Sequence, residues 1–192
     1  VGFDPEREAG KDILFVTDLT KTVDGVKVLD NVSFIANKND KIALVGDNEA
    51  GNTALMKILM GEMEPDAGSF KWGVSTSQSY FPQDNSAFFE GFEGNLIDWL
   101  RQYSADPSET YLRGFLGRML FSGDEVYKPA KVLSGGEKVR CMLSRMMMTH
   151  ANVLVLDQPT NHLDLESIQA LSNGLASFKG NLLFSSHDHQ FI

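Results

Sequence analysis

The chain has 192 residues, of which 42% are hydrophobic and 22% are charged. This composition indicates a globular protein rather than a disordered or fibrous one, and the length fits one compact domain. The formal net charge of −9 argues against broad electrostatic binding of nucleic acid by this domain alone.

The sequence predicts neither a membrane segment nor a disulfide. The longest apolar runs, such as residues 42–45 and 153–156, are far shorter than the roughly 18 residues of a membrane-spanning helix. No basic start precedes an apolar signal core. The single cysteine, Cys141, cannot form an internal disulfide, and its apolar neighbours indicate a small buried core residue. These features predict a cytoplasmic protein.

Both ends of the sequence resemble the edges of a piece cut from a longer protein. Residues 1–11 are polar and of mixed charge, as in a linker that enters a domain. The chain stops at residues 191–192, directly after a strand-like run and without a closing helix or turn. We therefore expect a linker over residues 1–11 and one domain over residues 12–192.

An antiparallel β-layer is predicted near the start of the domain. Residues 13–19 and 26–35 alternate in polarity and are rich in β-branched side chains, and Asp24-Gly25 between them is a turn signal. Strand character returns over residues 69–83, where Gly73 interrupts it.

A phosphate-binding loop is predicted after the two strands of this hairpin. Residues 41–45 form a short apolar run that predicts a buried strand, and a loop bounded by Gly46 and Gly51 follows it. Helix-forming residues then extend over 52–60 until Gly61. A strand, a glycine-bounded loop and a helix in this order present backbone N–H groups to phosphate.

The middle of the chain changes to a helical pattern. A helix is predicted with Asp106 as its N-cap, Pro107 at its first position and Glu109 in its first turn. The apolar face that follows consists of Tyr111, Leu112, Phe115, Leu116, Met119 and Leu120. We expect a helical subdomain over residues of about 90–135, inserted between two halves of an α/β core.

The motif LSGGE begins another predicted helix, which runs to about residue 149. Ser134 and Glu137 have the spacing of a capping box, so one interpretation is a helix start and nothing more. Gly135 and Gly136 in the first turn cost roughly 1 kcal/mol each relative to alanine. That cost favours a second interpretation, in which a phosphate must approach the backbone.

The last part of the chain alternates strand, helix and strand. An apolar strand over residues 153–156 ends in Asp157, an amphipathic helix is predicted over 165–178, and a last strand over 182–186 is followed by His187. The loop after residue 45, Asp157 and His187 all follow apolar strands, whose carboxyl ends meet at one crevice in a parallel sheet. The sequence therefore predicts a phosphate site there.

Five motifs stand in the order found in ATP-binding cassette (ABC) domains. They are VGDNEAGNT (45–53), YFPQ (80–83), LSGGE (133–137), LVLDQPTNHLD (154–164) and SHD (186–188). They resemble the Walker A, Q-loop, signature, Walker B with D-loop, and H-loop elements, and five in order are a specific match. The resemblance implies an α/β P-loop NTPase fold of the ABC type, with an antiparallel β-subdomain and a helical subdomain.

The motif PTNHLD is more similar to that of the soluble, duplicated ABC-F proteins than to that of transporter subunits. The linker-like start and the short helical insert resemble the second cassette of such a protein. The implied partner is a second cassette, in the same full-length chain or in a homodimer. A ribosome contact would be made through parts that lie outside this chain.

The resemblance implies ATP and Mg²⁺ as cofactors. It assigns Thr53, Gln83 and Asp157 to the metal, Gln83 also to the attacking water, His187 to the γ-phosphate and Gln158 to the catalytic-base position. The residues expected around the nucleotide are Gly46, Asp47, Asn48, Glu49, Ala50, Gly51, Asn52, Thr53, Ala54 and Val23. The residues expected to meet the nucleotide of the partner cassette are Ser134, Gly135, Gly136, Glu137 and Asp164.

Three positions depart from the family pattern. Asn52 replaces the Walker A lysine and removes a charge-assisted contact worth roughly 1.5–3 kcal/mol, about one to two decades of affinity. Lys57 lies more than one turn further on, so we do not expect it to substitute. Val23 stands where an aromatic side chain would stack on adenine, so weaker base selectivity is expected; the alternative is that the loop differs and another aromatic residue, such as Phe15, takes this role.

Gln158 replaces the carboxylate that would act as general base. An amide can hydrogen-bond water but cannot accept its proton at neutral pH, and general-base catalysis typically contributes ~10²–10⁴-fold. Three functions remain open: a ribosome-associated ABC-F ATPase with impaired hydrolysis, a module that binds ATP to dimerise without turnover, and the ATPase subunit of a membrane transporter.

Overall fold

The computed structural model describes residues 2–45 and 48–186. The strands are β1 (Asp12–Val23), β2 (Val26–Asn37), β3 (Lys41–Leu44), β4 (Ala67–Trp72), β5 (Gln78–Phe81), β6 (Val153–Asp157) and β7 (Asn181–Ser185). The α-helices are α1 (Glu49–Leu59), α2 (Leu96–Arg101), α3 (Glu109–Arg118), α4 (Gly135–Thr149) and α5 (Leu165–Ala176). Short 3₁₀ turns span Ser86–Phe88, Gly123–Tyr127 and Ala130–Val132.

The first layer is the predicted antiparallel sheet, in the order β2-β1-β4. β1 and β2 are joined by Asp24 (φ 50°) and Gly25 (φ 79°), both in the left-handed region. That conformation matches the twist of the flanking strands and therefore closes a tight hairpin. Both strands are longer than the predicted segments.

The second layer is a parallel sheet in the order β3-β7-β6-β5. β6 shows why its sequence is a continuous apolar run: Val153 and Val155 pack on the side of α1 and the antiparallel layer, and Leu154 and Leu156 pack on the side of the helical region. A strand buried on both faces needs apolar residues at every position. The carboxyl ends of these strands lie at one edge of the sheet.

The strand segment predicted over residues 69–83 divides between the two layers. β4 pairs with β1, whereas β5 pairs with β6. Gly73 lies at the point where the chain leaves the first sheet, and a Cβ atom there would come 1.9 Å from the Asp12 carbonyl oxygen. The backbones approach so closely that only glycine fits, which ends β4.

The predicted helical subdomain consists of α2, α3 and the 3₁₀ turns packed on α4. Trp99, Leu112, Leu116 and Met119 have no exposed surface, and Trp99 stacks on Phe89 with ring centroids 4.7 Å apart. The apolar spacing of the sequence therefore gave the correct buried face.

The predicted N-cap of α3 is wrong by two residues. Ser108 caps the helix by accepting a hydrogen bond from the Tyr111 N–H, and Asp106 instead accepts from the Ser108 N–H. Both side chains can cap a backbone N–H, and Asp106 is used for the turn that leads into the helix.

α4 begins with the predicted capping box. The Ser134 side chain accepts from the Glu137 N–H at 3.2 Å, and the Glu137 carboxylate accepts from the Ser134 N–H at 3.0 Å. Cys141 is fully buried in this helix, and burial raises the pKa of its thiol, which agrees with a core role. Within the described ranges, no helix combines the length and the apolar character needed to cross a membrane.

Residues 2–11 contain neither helix nor strand, yet they pack on the domain. Phe3 is 4% exposed and belongs to the helical core. The Glu6 N–H donates to the His150 carbonyl oxygen at 2.7 Å, and the Asn152 side-chain amide donates to the Arg7 carbonyl oxygen at 3.3 Å. This segment is therefore attached to the end of α4 and to the residue before β6.

We predict that Phe3→Ala lowers the free energy of unfolding by about 3 kcal/mol, because it removes a fully packed aromatic side chain. Phe15→Ala, on the 37% exposed Phe15 of β1, is the matched control and should cost less than about 1 kcal/mol. Urea unfolding followed by circular dichroism measures both. Equal costs would contradict the packing of the N-terminal segment.

Candidate functional site

Three oxygen-bearing side chains from separate elements meet at the carboxyl edge of the parallel sheet. The Thr53 hydroxyl on α1 donates to Asp157 Oδ2 at the end of β6, at 2.6 Å. The same Thr53 Oγ1 lies 3.3 Å from Oε1 of Gln83, which follows β5. The structure thus brings together the three residues that the sequence assigned to a metal.

Asp157 is 1% exposed, so its carboxylate depends on protein donors. Its second oxygen, Oδ1, accepts from the Ser185 hydroxyl at 2.9 Å. Sequence reasoning missed Ser185, because its position beside Asp157 follows from the pairing of β6 with β7. Neither hydroxyl neutralises the negative charge of the carboxylate, and no described cationic side chain forms an ion pair with it.

The donor set fits a small hard cation. A hydroxyl has one hydrogen, so Thr53 cannot donate to Asp157 and Gln83 at once. The oxygens of Thr53, Asp157 and Gln83 therefore lie close together although only one of the two contacts can be a hydrogen bond donated by Thr53. Carboxylate, hydroxyl and amide oxygens are ligands of Mg²⁺, which commonly uses one or two carboxylates and completes its shell with water and phosphate. Within residues 2–45 and 48–186, no cluster of three His, Cys, Asp or Glu side chains offers another metal site.

α1 begins three residues before the predicted start. Its N-cap is Asn48, whose Oδ1 accepts from the Gly51 N–H at 3.0 Å and whose Nδ2 donates to the Val28 carbonyl oxygen at 3.1 Å. Asn48 thereby satisfies one of the amides that the sequence assigned to phosphate. The predicted residues Gly46, Asp47 and His187 lie outside the described residues.

Gly51 is required by close packing. A Cβ atom at this position would lie 2.2 Å from Asn48 Nδ2 and 2.5 Å from the Val28 carbonyl oxygen. The loop is therefore held against β2 by contacts that any larger residue would break.

The start of α1 forms one wall of a cleft of about 330 Å³. The residues that line it are Val23, Glu49, Ala50, Thr53, Ala54, Lys57, Met63 and Gln83. Most of these are predicted nucleotide-binding residues, and Val23 presents an apolar surface without an aromatic ring. Asn52 lies on α1 outside this lining, whereas Lys57 is part of it.

Gln158 is 4% exposed and has a left-handed backbone (φ 54°). Its backbone N–H donates to Ser185, but its side-chain Oε1 is buried and has no hydrogen-bond partner among the described residues. It lines a second cleft together with Gln83, Lys138 and His162. Its side-chain oxygen is therefore available to a donor that enters this cleft.

Tyr80 on β5 lies near the same carboxylate and was not singled out from the sequence. Burial and, secondarily, the negative charge of Asp157 raise the pKa of the Tyr80 phenol. Its hydroxyl is buried and, within the described part of the chain, unpaired. The phenol stays neutral and adds no charge to the site.

The residues of the signature motif line a different groove, of about 380 Å³. Ser134, Gly135, Gly136, Glu137 and Asp164 share it with Arg140, His162, Leu163 and Ser167. The structure therefore does not place this predicted group in the cleft of Thr53.

Two acids of this groove have their carboxylates held by the fold. Asp164 is the N-cap of α5, and hydrogen bonds from Ser167 lower the pKa of the Asp164 carboxyl. Burial acts to raise the pKa of Glu137, but hydrogen bonds from Ser134 and Lys128 outweigh it and lower that pKa. Both side chains are therefore anions that complete helix starts.

The two signature glycines have a packing role that the sequence did not reveal. A Cβ atom on Gly136 would lie 2.5 Å from the His162 carbonyl oxygen, and one on Gly135 would lie 3.3 Å from the His162 ring. His162 itself has a left-handed backbone (φ 69°) in the turn after β6. The turn after β6 and the start of α4 therefore pack this closely only because residues 135 and 136 have no side chains.

We predict that Gly136→Ala lowers the free energy of unfolding by about 1–3 kcal/mol, because the new methyl group forces the two backbones apart. Gly114→Ala is the matched control. Its Cβ would meet no atom within 4 Å at the exposed position 114 of α3, so it should stabilise by about 0.5–1 kcal/mol. Chemical denaturation distinguishes the two signs, and a neutral Gly136→Ala would contradict the close contact.

Comparison with known proteins agrees with this geometry. The chain is 70% identical over 193 aligned positions to the uncharacterized ABC transporter ATP-binding protein YkpA of Bacillus subtilis (strain 168), covering 100% of this chain and 36% of that protein. It is 38% identical over 193 positions to the probable ATP-binding protein YbiT of Escherichia coli O157:H7, with the same coverages. The ATP-binding protein Uup of Escherichia coli (strain K12) is 31% identical over 186 positions, 96% of this chain and 29% of that protein.

The chain therefore spans about a third of the length of these curated relatives, which include Uup-type ABC-F proteins. Solved structures show the same fold. A bacterial Atm1-family ABC exporter with ATP bound superposes with a TM-score of 0.80 at 15% identity, covering 98% of this chain and 37% of that chain. The protein cbiO1 from Clostridium perfringens gives a TM-score of 0.69 at 20% identity, covering 93% and 80%.

The family assignment rests on the sequence itself. Residues 29–161, more than half of the chain, match the ABC transporter family model. This stretch contains the described part of the glycine-bounded loop, Gln83, the signature motif and Asp157. The chain belongs to the ABC transporter ATP-binding family.

Proposed function

We propose that this chain is the ATP-binding domain of an ABC-F type protein, and that it binds Mg-ATP at an interface between two cassettes with impaired hydrolysis. The convergence of Thr53, Gln83 and Asp157 at the start of α1 supports this proposal most directly. It combines a helix N-terminus, which favours phosphate, with an oxygen set that suits Mg²⁺.

In this proposal Thr53 and Asp157 hold Mg²⁺, with Gln83 as a further oxygen ligand, and the bound ion supplies neutralisation of phosphate charge. The backbone amides at the start of α1 bind phosphate oxygens. Because the Asn48 side chain already accepts from the Gly51 N–H, it must rotate before that amide can bind a nucleotide. Val23 and Met63 provide an apolar wall for the base.

Hydrolysis is impaired because Gln158 cannot take a proton from water. Its free Oε1 can accept a hydrogen bond from water and thereby orient it. Without a carboxylate the proton has no acceptor at that position, so the bound ATP persists.

The second cassette supplies the other half of the site. The groove that contains Ser134, Gly136 and Asp164 is separate from the cleft of Thr53, so one chain offers two surfaces to two different nucleotides. A chain that spans 36% of its relatives leaves room for a second cassette in the same full-length protein. A homodimer of this domain is the alternative arrangement.

Association with the ribosome and a cytoplasmic location follow from the ABC-F resemblance. The net charge of −9 means that RNA would be contacted locally or by other parts of the full-length protein. Asn52 and Gln158 together also favour a second candidate function, an ATP-dependent dimerisation module without turnover. Because the YkpA relative is named as an ABC transporter ATP-binding protein, a transporter ATPase subunit is the remaining alternative.

We predict that the double reversion Asn52→Lys with Gln158→Glu raises the rate of phosphate release at least about 100-fold, because it restores a phosphate-binding cation and a general base. A coupled phosphate assay on the purified chain measures this rate. Adding Asp157→Asn to the revertant should abolish the gain and serves as the control. No gain over the parent would show that the two substitutions are not the cause of slow turnover.

A second prediction concerns the metal. Asp157→Asn should remove most of the Mg²⁺ dependence of ATP binding, because it deletes the one carboxylate among the three converging side chains. Titration of fluorescent ATP with Mg²⁺ and with EDTA measures this dependence. Asp84→Asn, one residue after Gln83 on the exposed loop, should leave the Mg²⁺ dependence intact, and thermal unfolding checks that both variants are folded.

A further inference from the structure

We propose that Lys57, rather than any group at position 52, supplies the cation that binds the β- and γ-phosphates of the nucleotide. The proposal rests on the proposed ATP binding and deepens it by assigning a phosphate contact in a cassette that lacks the usual lysine. The structure offers three observations that support it: the face of α1 on which Lys57 lies, the absence of a competing carboxylate among the residues that the structure describes, and the charge of the cleft.

Lys57 lies on the same face of α1 as Thr53. The two residues are four apart, and residues at this spacing are neighbours one turn, or about 5.4 Å, apart along a helix. Helical side chains tilt toward the N-terminus of their helix, so the four-carbon chain of Lys57 extends back toward Thr53. In agreement, Lys57 lines the cleft together with Thr53 and Gln83.

The earlier expectation that Lys57 cannot substitute was based on its distance from Asn52. Five residues are about 1.4 turns, so the two side chains do lie on different faces of α1. The position of Lys57 should be compared with that of Thr53, because the cleft lies on the Thr53 side of the helix and its lining does not include Asn52. Lys57 therefore approaches the phosphates from another direction and does not replace a lysine at position 52 atom for atom.

No carboxylate in the described part of the chain forms an ion pair with Lys57. The salt bridges found within residues 2–45 and 48–186 involve other lysine and arginine residues. The charge of Lys57 acts on Asp84 instead. The pKa of the Asp84 carboxyl is lowered mainly by hydrogen bonds from Ser86 and to a smaller extent by the charge of Lys57. The ammonium group is therefore free to bind an anion.

The charge of the cleft favours an additional cation for binding a polyphosphate. Glu49 contributes a negative charge to the lining, and the other described lining residues, apart from Lys57, are uncharged. A lysine in the last turn also suits the dipole of α1. That role explains a basic residue near the end of α1, but it does not require the side chain to line the cleft.

The test is a double-mutant cycle on Mg-ATP affinity with four proteins: the parent, Lys57→Met, Asn52→Lys and the combined variant. Titration with fluorescent ATP measures each dissociation constant. We expect Lys57→Met to weaken binding about tenfold in the parent, the loss of one charge-assisted contact, and less than about twofold once Asn52→Lys supplies another cation. Lys57→Arg should retain most of the affinity.

Lys179→Met is the matched control, because it removes the same charge at the opposite end of the parallel sheet, two residues before the start of β7. It should leave ATP affinity unchanged, and thermal unfolding verifies that every variant is folded. Competition with AMP, which lacks the β- and γ-phosphates, should show no effect of Lys57→Met.

The outcomes separate this proposal from the proposed function. Unchanged affinity on Lys57→Met, equal losses in both backgrounds, or an equal loss with AMP would overturn the role of Lys57 while ATP binding itself stands. Absence of saturable Mg-ATP binding by both the parent and the Asn52→Lys variant would overturn ATP binding, and the role of Lys57 with it.

Discussion

The buried carboxylate of Asp157 is the group on which the site depends. At 1% exposure it has no access to bulk water, so Thr53 and Ser185 must satisfy its oxygens. These two hydrogen bonds join α1 and β7 to the end of β6. The two hydroxyls donate hydrogen bonds to the carboxylate oxygens but do not neutralise the negative charge of the carboxylate, which a cation beside Thr53 would do. The contacts that hold these elements together therefore also prepare a place for a metal.

Close backbone approach is the second constraint on the site. Gly51 lies against the Val28 carbonyl oxygen, and Gly136 lies against the carbonyl oxygen of His162. The sequence pattern assigned both glycines to phosphate, and the structure adds that each allows two pieces of backbone to meet. The two roles are compatible, because a helix start without side chains can pack on one side and expose its amides on the other. Packing alone is sufficient to require these glycines.

Motif order predicted the ABC fold, the two layers and the proximity of Thr53 to Asp157, because strand ends in a parallel sheet meet at one edge. The cap of α3 was predicted incorrectly since Asp106 and Ser108 can both accept a backbone hydrogen bond, and the local sequence does not rank them. Residues 69–83 were predicted as one broken strand because pairing partners are far away in sequence. Ser185 was missed for the same reason: its role follows from the pairing of β6 with β7.

The sequence by itself determined the chemistry available at each position: an amide at Asn52, an amide at Gln158, and an acid at the end of an apolar strand. Local periodicity predicted the antiparallel hairpin, the strand and helix around the glycine-bounded loop, and the alternation of β6, α5 and β7, but it did not separate β4 from β5. Only the tertiary structure decided which side chains share a cleft, placing Lys57 beside Thr53, His162 on the signature glycines and Phe3 in the helical core. These contacts depend on how the layers of the fold pack on one another. A local sequence pattern does not encode that packing geometry.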